Sequence, residues 1–222
     1  MRKLNALPLV LMILFSVFAT LSLAFSTIDI SVEAKIIVTY AIAPTDDSMT
    51  NPDYQLLSYH SYSTINYYIN PKNTYGFTSS SVVSTITTST STWDKETSYQ
   101  VFSYKGTTSR AAGKYDGYNV IAWGKYRVGV IAVTMSWVSS GRVLEVDCMM
   151  NTRYKWSLTG EAGKMDVQNI MTHEFGHFCG LADLYSEADY WLTMYGYSNY
   201  ALTYARTLGL GDTNGLKAVY GA

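Results

Sequence analysis

Apolar and polar positions alternate in some stretches of this chain and recur at helical spacing in others. Residues 64–70 (TINYYIN) alternate and predict a strand. In 78–93 two rules conflict. The Val, Ile, Thr and Ser content favours a strand, whereas Val83, Ile86 and Trp93, with Val82 beside them, repeat at helical spacing. The periodicity predicts a helix, capped by Thr78 or Ser79. Strands are expected at 99–104, 119–123 (NVIAW), 130–138 (VIAVTMSWV) and 143–150 (VLEVDCMM), with a polar loop over 105–116. A helix is expected after Asp166, a good N-cap, with Met171, Phe175 and Phe178 on its core side. A last helix is expected over 213–220, capped by Asp212, after a tyrosine-rich loop at 195–208. The order of elements predicts a mixed α/β (α+β) domain, one twisted sheet backed by helices.

The N-terminal quarter is different. Met1-Arg2-Lys3 is positive, residues 7–24 are nearly all apolar, and Ser22-Leu23-Ala24 offers small residues for cleavage. Residues 1–26 therefore read as a secretory signal, with an uncleaved N-terminal anchor as the alternative. Either way the rest of the chain is expected to be secreted or held outside the cell membrane. Residues 28–42 are β-branched and partly alternating, consistent with a strand, and 44–52 form a polar linker. At 222 residues, the chain is long enough for one sizeable core. The net charge of −1 and the absence of a basic block argue against nucleic acid as a partner.

The chemistry concentrates in 165–183, MDVQNIMTHEFGHFCGLAD. His173 and His177 lie four apart, so a helix puts both imidazoles on one face. Glu174 stands beside the first of them. This is H-E-x-x-H, in which neutral imidazoles suit Zn²⁺ and the carboxylate serves as general base. Gly180 can end the helix in a left-handed conformation, and a turn there swings Asp183 back toward the metal. Met194 follows in TMYG. The chain holds three histidines, and His60 does not stand at a ligand spacing, so it reads as a surface or strand-edge residue.

The resulting H-E-x-x-H-x-x-G-x-x-D pattern resembles the metzincin zinc peptidases, with aspartate where the third histidine usually stands. DGYNVIAWG at 116–124 and GDTNGLKAVYG at 211–221 are similar to matrixin-like members, and the resemblance covers about 54–222. It implies a metallopeptidase catalytic domain over 54–222, preceded by a short segment at 27–53. The implied fold is a metzincin-like zincin: a five-stranded mixed sheet, an active-site helix, a methionine turn at Met194 and a C-terminal helix. The implied activity is a zinc-dependent endopeptidase, in which a zinc-bound water attacks the peptide bond with Glu174 as general base. One zinc would sit on His173, His177 and Asp183. Its anionic third ligand would leave the bound water less acidic than three imidazoles would. The edge strand, from Val130 to Met135, would hold an extended protein or peptide substrate by strand addition. Tyr195 or Tyr197 would steady the oxyanion, although their spacing from Met194 differs from that of relatives.

Three questions stay open at this level. Calcium is one, since no D-x-[DN]-x-[DN]-G loop supports it. Cys148 and Cys179 are an even pair in an exported chain, which permits a disulfide but equally two buried thiols. The alternative functions are an exported binding or adhesion module with a non-catalytic zinc site, and a zinc hydrolase of a non-protein amide.

Overall fold

The computed structural model describes residues 28–29, 33–36 and 49–222. The leader expected at 1–26, and much of the segment at 27–53, lies outside the described residues. Among the described residues, ten strands and three α-helices follow in the order β1 (Ile28–Asp29), β2 (Glu33–Ile36), β3 (Ile65–Ile69), α1 (Ser79–Asp94), β4 (Phe102–Thr107), β5 (Asn119–Gly124), β6 (Val130–Ser139), β7 (Arg142–Asn151), β8 (Trp156–Ser157), β9 (Met165–Asp166), α2 (Val167–Phe178), β10 (Tyr197–Ser198) and α3 (Leu210–Tyr220). The body of the main sheet is five longer strands in the order β6-β7-β5-β3-β4. Parallel pairing joins β4, β3, β5 and β7, and β6 returns antiparallel to β7, so the sheet is mixed and the class is α+β.

The conflict over 78–93 resolves as a helix. Thr78 accepts the Ser81 N–H at 3.1 Å as N-cap. Val82, Ile86, Ser89, Thr90 and Trp93 form the buried stripe, and tertiary packing of that stripe outweighs the strand propensity of its Ser and Thr residues. Many of those hydroxyls bond back to carbonyls one turn earlier, such as Thr88 to Ser84 at 2.8 Å. The stripe packs on α2: Trp93 Nε1 donates to Thr172 O at 2.8 Å and Ser89 Oγ to Gln168 O at 3.2 Å. From the sheet side, Phe175 of α2 meets Tyr67 and Phe102 with ring centroids 5.6 and 5.1 Å apart. Truncating Phe175 would open a cavity costing on the order of 3–5 kcal/mol. The helix carrying the histidines is thus clamped between α1 and the sheet.

β6 is apolar along nearly its whole length because both faces are covered. Ile131 and Ala132 join the core under α2, while Val133, Met135 and Trp137 pack with Ala112, Val120 and Ala122 on the opposite face. That second face is closed by the loop before β5, held by two buried carboxylates of β7. Asp147 accepts N–H bonds from Gly113 (2.6 Å) and Val120 (2.7 Å), and Glu145 accepts from Asp116 and Gly117.

Three expectations need correction, and one open question, the state of the two cysteines, is answered. The second strand begins at Phe102 rather than at 99, because Asp94 of α1 accepts the Val101 and Phe102 N–H groups and fixes where the chain enters the sheet. The last helix begins at Leu210, so Asp212 is not its N-cap but its third residue, reaching back to the Gly209 N–H at 2.8 Å. Cys148 and Cys179 are free, buried thiols, not a disulfide, and Cys148 Sγ lies 3.8 Å from Met171 Sδ. Finally, the stretch from Val130 to Met135 is not a free edge. It is the outermost of the long strands, but β1 and β2 pair antiparallel along its open side, and β10 pairs parallel to β2 beyond them. The row of main-chain groups that an edge leaves unpaired is satisfied here from within the chain.

Candidate metal centre

Three buried side chains converge at the C-terminal half of α2. His173 and His177 come from one face of the helix, 5 % and 2 % exposed, and Asp183 from the segment that follows it, also 5 % exposed. The helix ends at Phe178, and Gly180 takes φ +93° to turn the chain back. A Cβ at Gly180 would also collide with His60 Cβ and come within 3.3 Å of Tyr59 O. His60 itself lies against Tyr62, with tilted rings and centroids 4.3 Å apart, and is not part of the group able to hold a metal. The returning segment is stitched on both sides. Ala182 N–H donates to Gln55 O, while Leu184 N–H donates to Met194 O and Gly196 N–H to Leu184 O, each at 2.8–2.9 Å.

The ligating atoms can be assigned from their hydrogen bonds. His173 Nδ1 lies 2.7 Å from Thr193 O and His177 Nδ1 lies 2.8 Å from Leu181 O. A carbonyl oxygen only accepts, so both Nδ1 atoms carry the proton and both Nε2 atoms present lone pairs in the neutral rings. Those two Nε2 atoms are 3.1 Å apart, and Asp183 Oδ1 lies 3.1 Å from one and 3.4 Å from the other. Three electron-rich atoms therefore meet in a buried spot that calls for a cation. A tetrahedral ion with donors at about 2.0–2.1 Å has donor–donor edges of roughly 3.3–3.4 Å, close to what is found. The residues present fit a metal ion: His173, His177 and Asp183 form a group able to hold one.

Without a metal the same electrostatics fall on a proton. Burial works against a charge on His173, but the hydrogen bond and charge of Asp183 outweigh it and raise the imidazole to about 9. Burial likewise opposes the Asp183 charge, and the two histidines nevertheless hold that carboxyl well below the usual range.

Around the three ligands lie the other expected residues. Glu174 is fully buried; its Oε2 accepts the Thr134 hydroxyl at 2.6 Å, and its Oε1 has no hydrogen-bond partner. Burial pushes its carboxyl up, only partly offset by the two histidines. Met194 sits against the helix at Gly176, where a Cβ would fall inside the contact distance of Met194 Sδ and 3.0 Å from Trp93. Tyr195 and Tyr197 meet edge to face with ring centroids 5.5 Å apart, and Tyr197 meets Tyr185 at 5.3 Å.

Sequence reasoning misses the part that five residues play around this group. Tyr185 Oη donates to Asp183 Oδ2 at 2.8 Å, which leaves Oδ1 facing the histidines. Two residues after a ligand in an extended segment is the same side of the chain, and that spacing was the available signal. Thr134 holds Glu174 from the sheet, and the Thr193 and Leu181 carbonyls fix the imidazoles. Asp212, expected only as a cap, binds Thr193 N–H (2.8 Å) and Met194 N–H (3.0 Å) from α3. Neither the models of known protein families nor the curated proteins compared with this chain give a match.

Proposed function

We propose that this chain is a zinc-dependent endopeptidase of metzincin-like, matrixin-like type. What carries the reading is the convergence of His173 Nε2, His177 Nε2 and Asp183 Oδ1 at 3.1–3.4 Å beside the unpartnered Glu174 Oε1. Two imidazoles and a carboxylate oxygen are a donor set that zinc takes at a catalytic site, with the fourth position left for water or substrate. A zinc ion bound there supplies Lewis acidity, which makes water a nucleophile near neutral pH and polarises a carbonyl.

The remaining work falls to the chain. Thr134 pins one oxygen of Glu174, so the other is the atom that accepts a proton from attacking water. A carboxyl whose proton affinity is raised by burial holds that proton long enough to pass it to the leaving amine. Tyr185 fixes Asp183, and Tyr197 packs on Tyr185 and Tyr195; either Tyr195 or Tyr197 could donate to a developing oxyanion. The proposal extends to an exported protein acting on extended protein or peptide substrates. Among the described residues no helix is long and apolar enough to cross a membrane.

The test uses the full chain with casein and a peptide library, with zinc, with chelator, and as Glu174→Gln, with metal content measured on each sample. Wild type is expected to bind one zinc and cleave. The variant is expected to keep the zinc and lose at least about 100-fold in rate. If both hold zinc and neither cleaves, the reading fails in favour of a non-catalytic binding module.

A further inference from the structure

β5 enters the main sheet later than the strands on either side of it. It starts at Asn119, level with Tyr67 of β3 and, through its side chain, with Val146 of β7. β3 starts at Ile65 and β7 at Arg142, so this end of the sheet has a notch between them. Asn119 closes the floor of the notch. Its Nδ2 donates to Asn66 O at 2.8 Å and its Oδ1 accepts the Val146 N–H at 2.7 Å, so one side-chain amide stands in for the missing strand residue. Beyond that amide opens a groove of about 410 Å³. Small-molecule sites span roughly 300–1,000 Å³.

The groove is polar without being charged. Among the described residues, no Lys, Arg, Asp or Glu lines it. Its polar groups come from Ser63, Thr64 and Asn66 on the β3 side and from Tyr118 and Asn119 where β5 begins. The charges next to it are already matched. Arg110 pairs with Asp116 at 2.7 Å and lies 3.8 Å over the Tyr118 ring, and the buried Glu145 gives both oxygens to the Asp116 and Gly117 N–H groups. A groove without free charge has little to attract phosphate, a metal ion or a charged peptide. Asn66 bonds Asn119 through its backbone carbonyl, so its exposed side-chain amide offers donors and an acceptor to a ligand. Apolar surface lies beside these groups. Tyr68 and Tyr118 meet edge to face with ring centroids 5.2 Å apart, and Leu144, 52 % exposed, lines the β7 side. A sugar ring presents both matching surfaces: hydroxyls for amides and hydroxyl groups, and a C–H face for aromatic and aliphatic side chains.

We propose that this notch binds a neutral oligosaccharide, with roughly one or two sugar rings seated between β3 and β7. The groove shares no lining residue with the group of His173, His177 and Asp183, so the claim goes beyond the peptidase reading and does not rest on it. The two places are nevertheless joined by one run of chain. Leu57 N–H donates to Gly180 O at 2.8 Å, at the turn between the histidines and Asp183, and the same run lines the groove from Ser61 onward. The notch thus holds the protein on a neutral glycan and leaves the metal centre open.

The experiment applies the full chain to an array of neutral oligosaccharides of glucose, galactose and mannose, with sulfated and uronic-acid oligosaccharides as the charged arm. The tightest binder is then followed by calorimetry. A neutral oligosaccharide is expected to bind saturably and more tightly than any charged one. Asn66→Leu and Leu144→Glu change exposed side chains, so both variants are expected to melt as wild type does and to keep its zinc content. Asn66→Leu is expected to weaken the sugar about ten-fold through lost hydrogen bonds. Leu144→Glu is expected to weaken it by a similar factor, because a charge then faces the C–H surface of the ring. Chelation of the metal is expected to leave sugar affinity unchanged. No binding across the array would overturn the proposal, as would a preference for charged sugars or unchanged affinity in either variant. Binding abolished by chelator would move the sugar to the metal centre and equally overturn it. Neutral-sugar binding by a protein that cleaves neither casein nor the peptide library would sink the peptidase reading alone. Cleavage without sugar binding would sink the notch alone.

Discussion

The Tyr185 hydroxyl donates to Asp183 Oδ2 at 2.8 Å, while Oδ1 of the same carboxylate points at the two imidazoles 3.1 and 3.4 Å away. One oxygen is anchored and the other is left free, so Asp183 would serve a metal ion as a single-oxygen donor with its orientation fixed in advance. An anchoring bond to a ligand's second atom typically accounts for 10–100-fold in metal affinity. Tyr185→Phe is accordingly expected to weaken zinc binding about ten-fold or more, measured by competition with a chromogenic chelator. Unchanged affinity would show that the hydroxyl does not orient the ligand.

Asp212 links the end of the chain to the same centre. Its carboxylate holds Thr193 N–H and Met194 N–H, and the Thr193 carbonyl in turn holds His173 Nδ1 at 2.7 Å. Asp212→Ala leaves three buried N–H groups without an acceptor, counting Gly209. The expected loss is on the order of 3 kcal/mol in stability, read by thermal or urea unfolding. Weakened zinc binding should accompany it, because the loosened turn no longer fixes His173.

Gly176 is the variable position just before the second histidine, and it is glycine for a steric reason. Added carbon there meets Met194 Sδ and Trp93 Cζ2 from opposite elements. Gly176→Ala is expected to cost about 1–3 kcal/mol through overpacking, despite alanine's better helix propensity. A thermal melt at or above the wild-type value would contradict this. A double variant, Gly176→Ala with Met194→Ala, should recover part of the loss.

Asp147 gives a pH signature away from the metal. Burial pushes its carboxyl up to about 7, against the pull of N–H bonds from Val120, Gly113 and Lys114. Its folded affinity for a proton exceeds the unfolded one, so its contribution is fully present below about pH 4 and is lost as pH rises to about 7. Asp147→Asn should lack this dependence. Relative to the variant, wild type is expected to lose stability from pH 4 to 7, on the order of 2 kcal/mol, or about 4–8 °C in melting temperature. Parallel curves for the two proteins would refute it.

Local chemistry fixed much of this molecule in advance. The i, i+4 spacing of His173 and His177, the glycine at 180 and Asp183 three residues on are short-range relations, and each is realised by one helix and one turn. The stripe of α1 and the continuous apolar run of β6 were likewise legible, because a buried face imposes its period on the residues that line it. The tertiary structure alone decided which groups face one another across long sequence distances. Thr134 meets Glu174 across 40 residues, and Asp212 meets Met194 from another helix. The start of the chain lies along β6, about a hundred residues away. A hydroxyl, a carboxylate or a β-branched segment looks the same in sequence whether its partner is solvent or a metal centre. The sequence could therefore name three residues able to hold a metal ion, while only packing could supply the groups that orient them and the strands that pair along β6.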